Sequence, residues 1–216
     1  MSFYSKWWIY QKVYLKRLRA KQVKIYLEQV KAKEKPLFIH INKTAGSSIA
    51  RSLGITEIHY TLAEYEQLYA KQFGEDLPLD TQVWTAIRNP FDKVSSEYHY
   101  RIKHNQNNMQ THPIDFKDWV EKAYSTKDSY YRDREIMFMP QVDWIASKNE
   151  YPLHFIRFEN LQSDYKKMAS AFNGQPLVWR KKSKNSDYKS MYTPHTKAII
   201  ATAFSADLER FNYSFE

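Results

Sequence analysis

The first 35 residues interleave apolar and basic positions without a single Gly or Pro, and Pro36 closes the stretch. Such a run predicts one long helix. From Leu37 the pattern changes. Leu37-Phe38-Ile39-His40-Ile41 reads as a buried strand, Asn42 to Ser48 as a tight loop of small and polar residues, and Ile49 and Leu53 as the apolar face of a helix. A second unit repeats this order. Val83 to Ile87 reads as a strand, Asn89 suits an N-cap and Pro90 a first helical position. Phe91, Val94, Tyr98 and Ile102 then recur at helical spacing. His104 to Pro113 reads as an exposed loop, Phe116-Trp119-Val120 as a short helix, and Ile136 to Ile145 as a longer one. Leu153 to Arg157 reads as a third strand, with a helix from Glu159 to Phe172 that Asn173-Gly174 ends. After a polar, basic loop over Trp179–Lys189, Thr193-Pro194 caps a last helix carrying Ile200, Phe204 and Leu208. Strands alternating with helices predict an α/β fold, a central parallel sheet flanked by helices. There is no internal repeat.

Composition narrows the class. At 216 residues, 43% hydrophobic and 26% charged, the chain has the size and balance of one ordinary globular domain. No stretch approaches the roughly 18 uncharged apolar residues of a membrane span. The absence of cysteine removes disulfides and thiolate chemistry, and fits a reducing, cytoplasmic location. The net charge of +9 is not spread evenly. Residues 1–35 hold ten Lys/Arg against Glu28 and Glu34, a balance of +8. Residues 36–216 hold 23 basic and 22 acidic side chains. The chain therefore divides into a basic, amphipathic N-terminal helical arm, 1–35, and a near-neutral domain, 36–216. A nucleic-acid-binding body would carry its own basic stripe, so no nucleic-acid partner is expected. The arm adds Tyr4, Trp7, Trp8, Tyr10 and Tyr14 to its basic residues, though not on one clean stripe. That mixture fits the interface of an anionic membrane, at its inner face. The other reading is a helix packed on the domain or on a second subunit. The arm has no apolar core or cleavage site of a secretory signal.

A strand that ends in a small-residue loop opening a helix is suited to an anion, because free amides and the positive helix end both point there. Gly46 would admit a close backbone approach. Lys43 adds a charge, and Thr44, Ser47 and Ser48 add hydroxyls. A P-loop phosphotransferase would need its lysine after the second glycine of GxxxxGK[ST]. Here Lys43 precedes Gly46, and no Asp closes a later apolar strand.

The order Lys43-Thr44-Ala45-Gly46-Ser47-Ser48 after one strand and Arg88-Asn89-Pro90-Phe91-Asp92 after the next, with Ser96 eight residues beyond the arginine, resembles a known group. It is similar to sulfotransferases that use 3′-phosphoadenosine 5′-phosphosulfate (PAPS), in the carbohydrate-type branch near the heparan sulfate 2-O- and 6-O-sulfotransferases and their small bacterial relatives. Arg157-Phe158-Glu159-Asn160-Leu161 resembles the family's RFENL segment, and Lys182-Ser183-Lys184 together with Phe211-Asn212-Tyr213-Ser214-Phe215 resemble its bacterial tails. The likeness runs from Leu37 to Glu216. It departs where the family has proline before the lysine and this chain has Asn42.

The resemblance implies a P-loop-like sulfotransferase fold and transfer of a sulfuryl group from PAPS to a carbohydrate or glycolipid hydroxyl, without a metal. It implies that Lys43, Thr44, Ala45, Gly46, Ser47 and Ser48 hold the phosphosulfate, that Arg88 and Ser96 hold the 3′-phosphate, and that Lys182 and Ser183 line the nucleotide. A phosphotransferase, or an inactive relative that binds a glycan or a membrane, are the alternatives.

The acceptor hydroxyl needs a base that titrates near neutrality, which favours histidine. Of seven, His40 and His154 fall in presumed strands, His104 and His112 in the polar loop, and His195 in the last helix's first turn. His59 and His99 remain, with a carboxylate as the other option. The resemblance favours His59, because His59-Tyr60-Thr61-Leu62-Ala63-Glu64 is similar to the family's catalytic histidine segment.

Overall fold

Leu37–Ile39 (β1), Val83–Ile87 (β2) and Leu153–Arg157 (β3) pair as a three-stranded parallel sheet in the order β1-β2-β3. Leu37 registers with Val83, and Val83 with Leu153. The computed structural model describes residues 3–178 and 187–215, with side chains from Arg17 onward. Its α-helices are α1 (Phe3–Lys31), α2 (Gly46–Leu53), α3 (Leu62–Phe73), α4 (Pro90–Lys103), α5 (Phe116–Val120), α6 (Gln141–Trp144), α7 (Leu161–Ala171), α8 (Pro194–Ala203) and α9 (Ser205–Phe211).

Both faces of the sheet are covered, which is why β1 and β2 are apolar along their length. Alternate residues separate the faces. Leu37, Ile39, Val83 and Ile87 pack with α1, α3 and Trp144. Phe38, Trp84, Ala86 and Ile156 pack with Ile49 and Leu53 of α2 and Leu161, Tyr165 and Met168 of α7. A third cluster joins Phe91, Val94 and Tyr98 of α4 to Trp119 of α5, Ile200 of α8 and Phe204 at the α8–α9 junction.

The second half of α1 belongs to the packed body. Val23, Tyr26, Leu27 and Val30 are buried in the core. The Tyr26 hydroxyl donates to Pro36 O (2.7 Å) and accepts from Phe38 N (2.8 Å), so it closes the outer edge of β1.

Four elements differ from the sequence reading, one of them the last helix, which breaks at Phe204 into α8 and α9. β1 stops at Ile39 because His40 and Ile41 turn into the loop. The helix expected over 136–145 is a 3₁₀ turn at Glu135–Met137 followed by the short α6, since Pro140 interrupts the register. The pattern gave no helix at α3, yet a full capping box opens it, with Thr61 Oγ1 accepting from Glu64 N and Glu64 Oε2 from Thr61 N. The Thr61-x-x-Glu64 spacing was the available signal. Among the described residues, no helix is long and apolar enough to cross a membrane.

Candidate active site at the ends of β1 and β2

The loop Asn42–Ser48 carries the chain from β1 into α2. Two of its non-glycine residues are left-handed, Lys43 at φ 65° and Ala45 at φ 67°. That conformation costs a side-chain-bearing residue about 1–2 kcal/mol, so the surroundings must impose it. Thr44 Oγ1 donates to Ile41 O (2.9 Å). Asn42 Nδ2 donates to Glu97 Oε2 (3.2 Å) and to Met137 O (3.0 Å). Glu97 is in turn held by Arg101 Nε (3.0 Å), and both are buried. Arg88 Nη1 donates to Lys43 O (3.0 Å).

Gly46 is not one of the left-handed residues. It is glycine because the His40 ring lies against it: a methyl group there would sit 1.9 Å from His40 Cδ2. The amides of Gly46 and Ser47 head α2 with no partner among the described residues, whereas Ser48 N already bonds Ala45 O (2.9 Å). Unclaimed amides at a helix start favour an anion. The Lys43 ammonium lies beside them in sequence, 4.1 Å over the Tyr100 ring of α4. Thr44 is fully buried, and its hydroxyl hydrogen is committed to Ile41.

Arg88 ends β2 and is buried. Its Nε and Nη2 donate to the two Asp92 oxygens (2.7 Å each), its Nη1 to Lys43 O, and its guanidinium stacks 3.9 Å over Phe158. Three of the five guanidinium N–H bonds are thus engaged, and the fork faces Asp92. Asp92, Ser96 and Tyr100 recur every four residues on α4, so they share one face. One end of that face holds Arg88 and the other touches Lys43, which places the half-exposed Ser96 between them. Ser95 points elsewhere, donating to Met191 Sδ (3.2 Å).

The later motifs converge on the same strand end. Glu159 Oε1 accepts from Asn89 N (2.8 Å), and Glu159 Oε2 from the Tyr213 hydroxyl (2.9 Å). Asn89 Nδ2 donates to Ser214 O (2.7 Å). Gln141 accepts from Arg88 N and donates to Arg88 O (2.9 Å each), and its own amide is fixed by Asp207.

His59 stands on the other side of the loop. Its Nδ1 lies 2.7 Å from His40 O. A carbonyl only accepts, so Nδ1 carries the hydrogen and Nε2 keeps its lone pair in the neutral ring. The His40 and His59 rings are 4.2 Å apart. Because the His40 ring also touches Gly46, one imidazole separates His59 from the loop. Burial lowers the His59 pKa below the ordinary 6.5, the bond to His40 O opposes this, and the charge of Arg134 lowers it further. His99 is exposed on α4; partial burial and the Lys43 charge lower its pKa.

The structure therefore brings together Lys43, Ala45, Gly46, Ser47, Ser48, Arg88, Ser96 and His59. Lys182 and Ser183 lie outside the described residues. His154 stacks on Trp84 (4.4 Å) and His195 pairs with Glu121 (2.9 Å). The sequence motifs include Asp92 and Phe158 without giving them a role, and the sequence reading does not find Glu97, Tyr100 or the Gln141–Asp207 clamp. Only the Glu97–Arg101 pair, four residues apart on a helix, carried a local signal. A cavity of about 680 Å³ lies between α8 and the segment Tyr124–Asp143, and no residue of the loop lines it. Among the described residues, no group of three or more His, Asp or Glu is placed to hold a metal ion. No family model matches the chain, and no curated protein or solved structure does.

Proposed function

We propose that the protein transfers a sulfuryl group from PAPS to a hydroxyl, with a carbohydrate as the acceptor class that the motif resemblance indicates. The observation that carries the reading is the placement of His59. Its Nε2 is held as a neutral base one imidazole away from a loop with unclaimed amides and a lysine. In this reading PAPS supplies the sulfuryl group already bonded to a phosphate leaving group. His59 Nε2 takes the acceptor's proton as the acceptor oxygen bonds sulfur. The bond from sulfur to the phosphate oxygen breaks, and Lys43 with the Gly46 and Ser47 amides stabilises the charge left there.

Arg88 and Ser96 supply the positive and polar groups for the 3′-phosphate. Arg88 serves here with its two remaining N–H bonds, or with its fork once Asp92 yields it. The P-loop-like sulfotransferase architecture belongs to the same proposal, and the parallel sheet with sites at its carboxyl ends supports it.

The discriminating measurement is thermal stability with adenosine 3′,5′-bisphosphate against ATP with magnesium. A ligand at a hundredfold excess over Kd stabilises by about 2.7 kcal/mol. Stabilisation by the bisphosphate and not by ATP–magnesium is expected. The reverse would replace the proposal with a phosphotransferase.

A further inference from the structure

Arg17 to Gln22 are all exposed. These consecutive residues exceed one helical turn of about 3.6 residues. The whole circumference of α1 is therefore open there, and the helix has left the body. Burial begins only at Val23 and continues at Tyr26, Leu27 and Val30. From Phe3 to Gln22 the helix is about 30 Å long, at 1.5 Å per residue.

This stretch has a side of mostly apolar positions, with Gln11 within it and Trp8 and Tyr10 off it. Leu18 and Ile25 lie two turns apart and are exposed by 38% and 47%. At about 100° per residue they fall on the side away from the four buried residues. In the sequence the same three- and four-residue spacing runs back from Leu18 through Tyr14 and Gln11 to Trp7 and Tyr4. The charge is of one sign. Lys6, Lys12, Lys16, Arg17, Arg19, Lys21 and Lys24 meet no acid before Glu28.

We infer that the N-terminal part of α1 lies on an anionic lipid surface, with its mostly apolar side at the acyl boundary and its basic residues among the head groups. The charge distribution selects this occupant. A second copy of the helix, in either direction, would set seven cations against seven with no carboxylate to pair them. Duplex nucleic acid would take the charge but leave Leu18, Ile25 and the aromatic residues in water. An anionic bilayer answers both features. The inference is independent of the chemistry at the loop.

Cosedimentation of the full chain tests it, using vesicles of phosphatidylcholine and phosphatidylglycerol in equal parts against phosphatidylcholine alone. Binding to the mixed vesicles only, weakened by salt, is expected. Each unit of charge near such a surface changes affinity about fivefold, so Arg17→Glu with Arg19→Glu should weaken binding several hundredfold. Leu18→Ser with Ile25→Ser should also weaken it at unchanged charge. All four positions are exposed, so melting temperatures should not move. Equal binding to neutral vesicles would overturn the inference, as would wild-type binding by both variants. So would a dimer in sedimentation, broken by the Leu18/Ile25 variant, in a protein that binds no vesicle, or a tighter complex with duplex DNA than with the mixed vesicles.

Discussion

The ends of β1 and β2 lie side by side and are built on opposite terms. After β1 the loop is open. Two residues are left-handed, and among the described residues two amides at the helix start and His59 Nε2 have no hydrogen-bond partner. After β2 nearly every polar group is tied down: the Arg88 backbone by Gln141, its guanidinium by Asp92 and Lys43 O, and Asn89 by Glu159 and Ser214 O. The bond from Arg88 Nη1 to Lys43 O joins the two. The strained loop keeps its shape because its neighbour is extensively bonded.

The contrast predicts different losses on the two sides. The largest concerns the open side. His59→Ala should lower sulfuryl transfer about 10²–10⁴-fold, the usual worth of a positioned base, with bisphosphate affinity little changed. Because burial holds the His59 pKa below 6.5, the wild-type rate should fall only at pH below that value. Arg134→Ala removes a charge that lowers the pKa, so this fall should move to higher pH. A rate profile that ignores Arg134 would show that His59 is not the titrating group.

Support for the loop comes next. Glu97→Gln removes the buried partner of Arg101 and leaves it only the exposed Asp133 as counter-ion, so the cost should approach but not reach the about 3–5 kcal/mol of a buried pair broken outright. Urea denaturation should show the midpoint falling accordingly. On the closed side, Gln141→Ala strands the buried Arg88 N–H and C=O, at about 1–3 kcal/mol for each group left unpaired. It should weaken bisphosphate binding through Arg88 while leaving the His59 pH dependence in place. If that pH dependence moved instead, the two strand ends would not be separable.

A smaller effect is expected at Gly46. Gly46→Ala forces the His40 ring aside, and overpacking of this kind costs about 1–3 kcal/mol. Since His40 O holds His59 Nδ1, turnover should drop by more than the stability loss accounts for. A variant with normal turnover would detach His40 from the site.

The smallest effect sharpens the scaffold's electrostatics. Lys93 is fully buried near Glu97 and Asp207, and burial lowers its pKa from 10.5 to about 8. Above about 8 the folded chain has lost this proton while the unfolded chain keeps it, so stability should rise with pH from about 8 towards 10. Above 10.0 the buried tyrosines act in the opposite sense, since burial holds their hydroxyls protonated in the fold. Lys93→Met should flatten the rise, as read from melting temperatures across that range.

Much of this architecture was legible locally. β2 and β3 are bounded by their apolar runs, and α4 by Asn89 and Pro90. Helix and strand periods, caps and charge clusters are properties of neighbours in the chain, so a sequence displays them directly. Thr61-x-x-Glu64 was equally local and was missed because the apolar spacing around it is weak.

What remained hidden was who meets whom. The resemblance gives Arg88 to the 3′-phosphate, and the structure turns its guanidinium to Asp92, Lys43 O and Phe158. Gly46 was read as room for a ligand, and the room is taken by His40. The His59 tautomer depends on a carbonyl 19 residues away, and the Asn89 amide on one 125 residues away. Residue types and spacing determined most of the elements, the small-residue loop after β1 and the excess of positive charge in residues 1–35. Partners across such separations, and with them the tautomer of His59, were decided only when the sheet and its helices closed around the strand ends, because a hydrogen bond acts over about 3 Å in space and takes no account of distance along the chain.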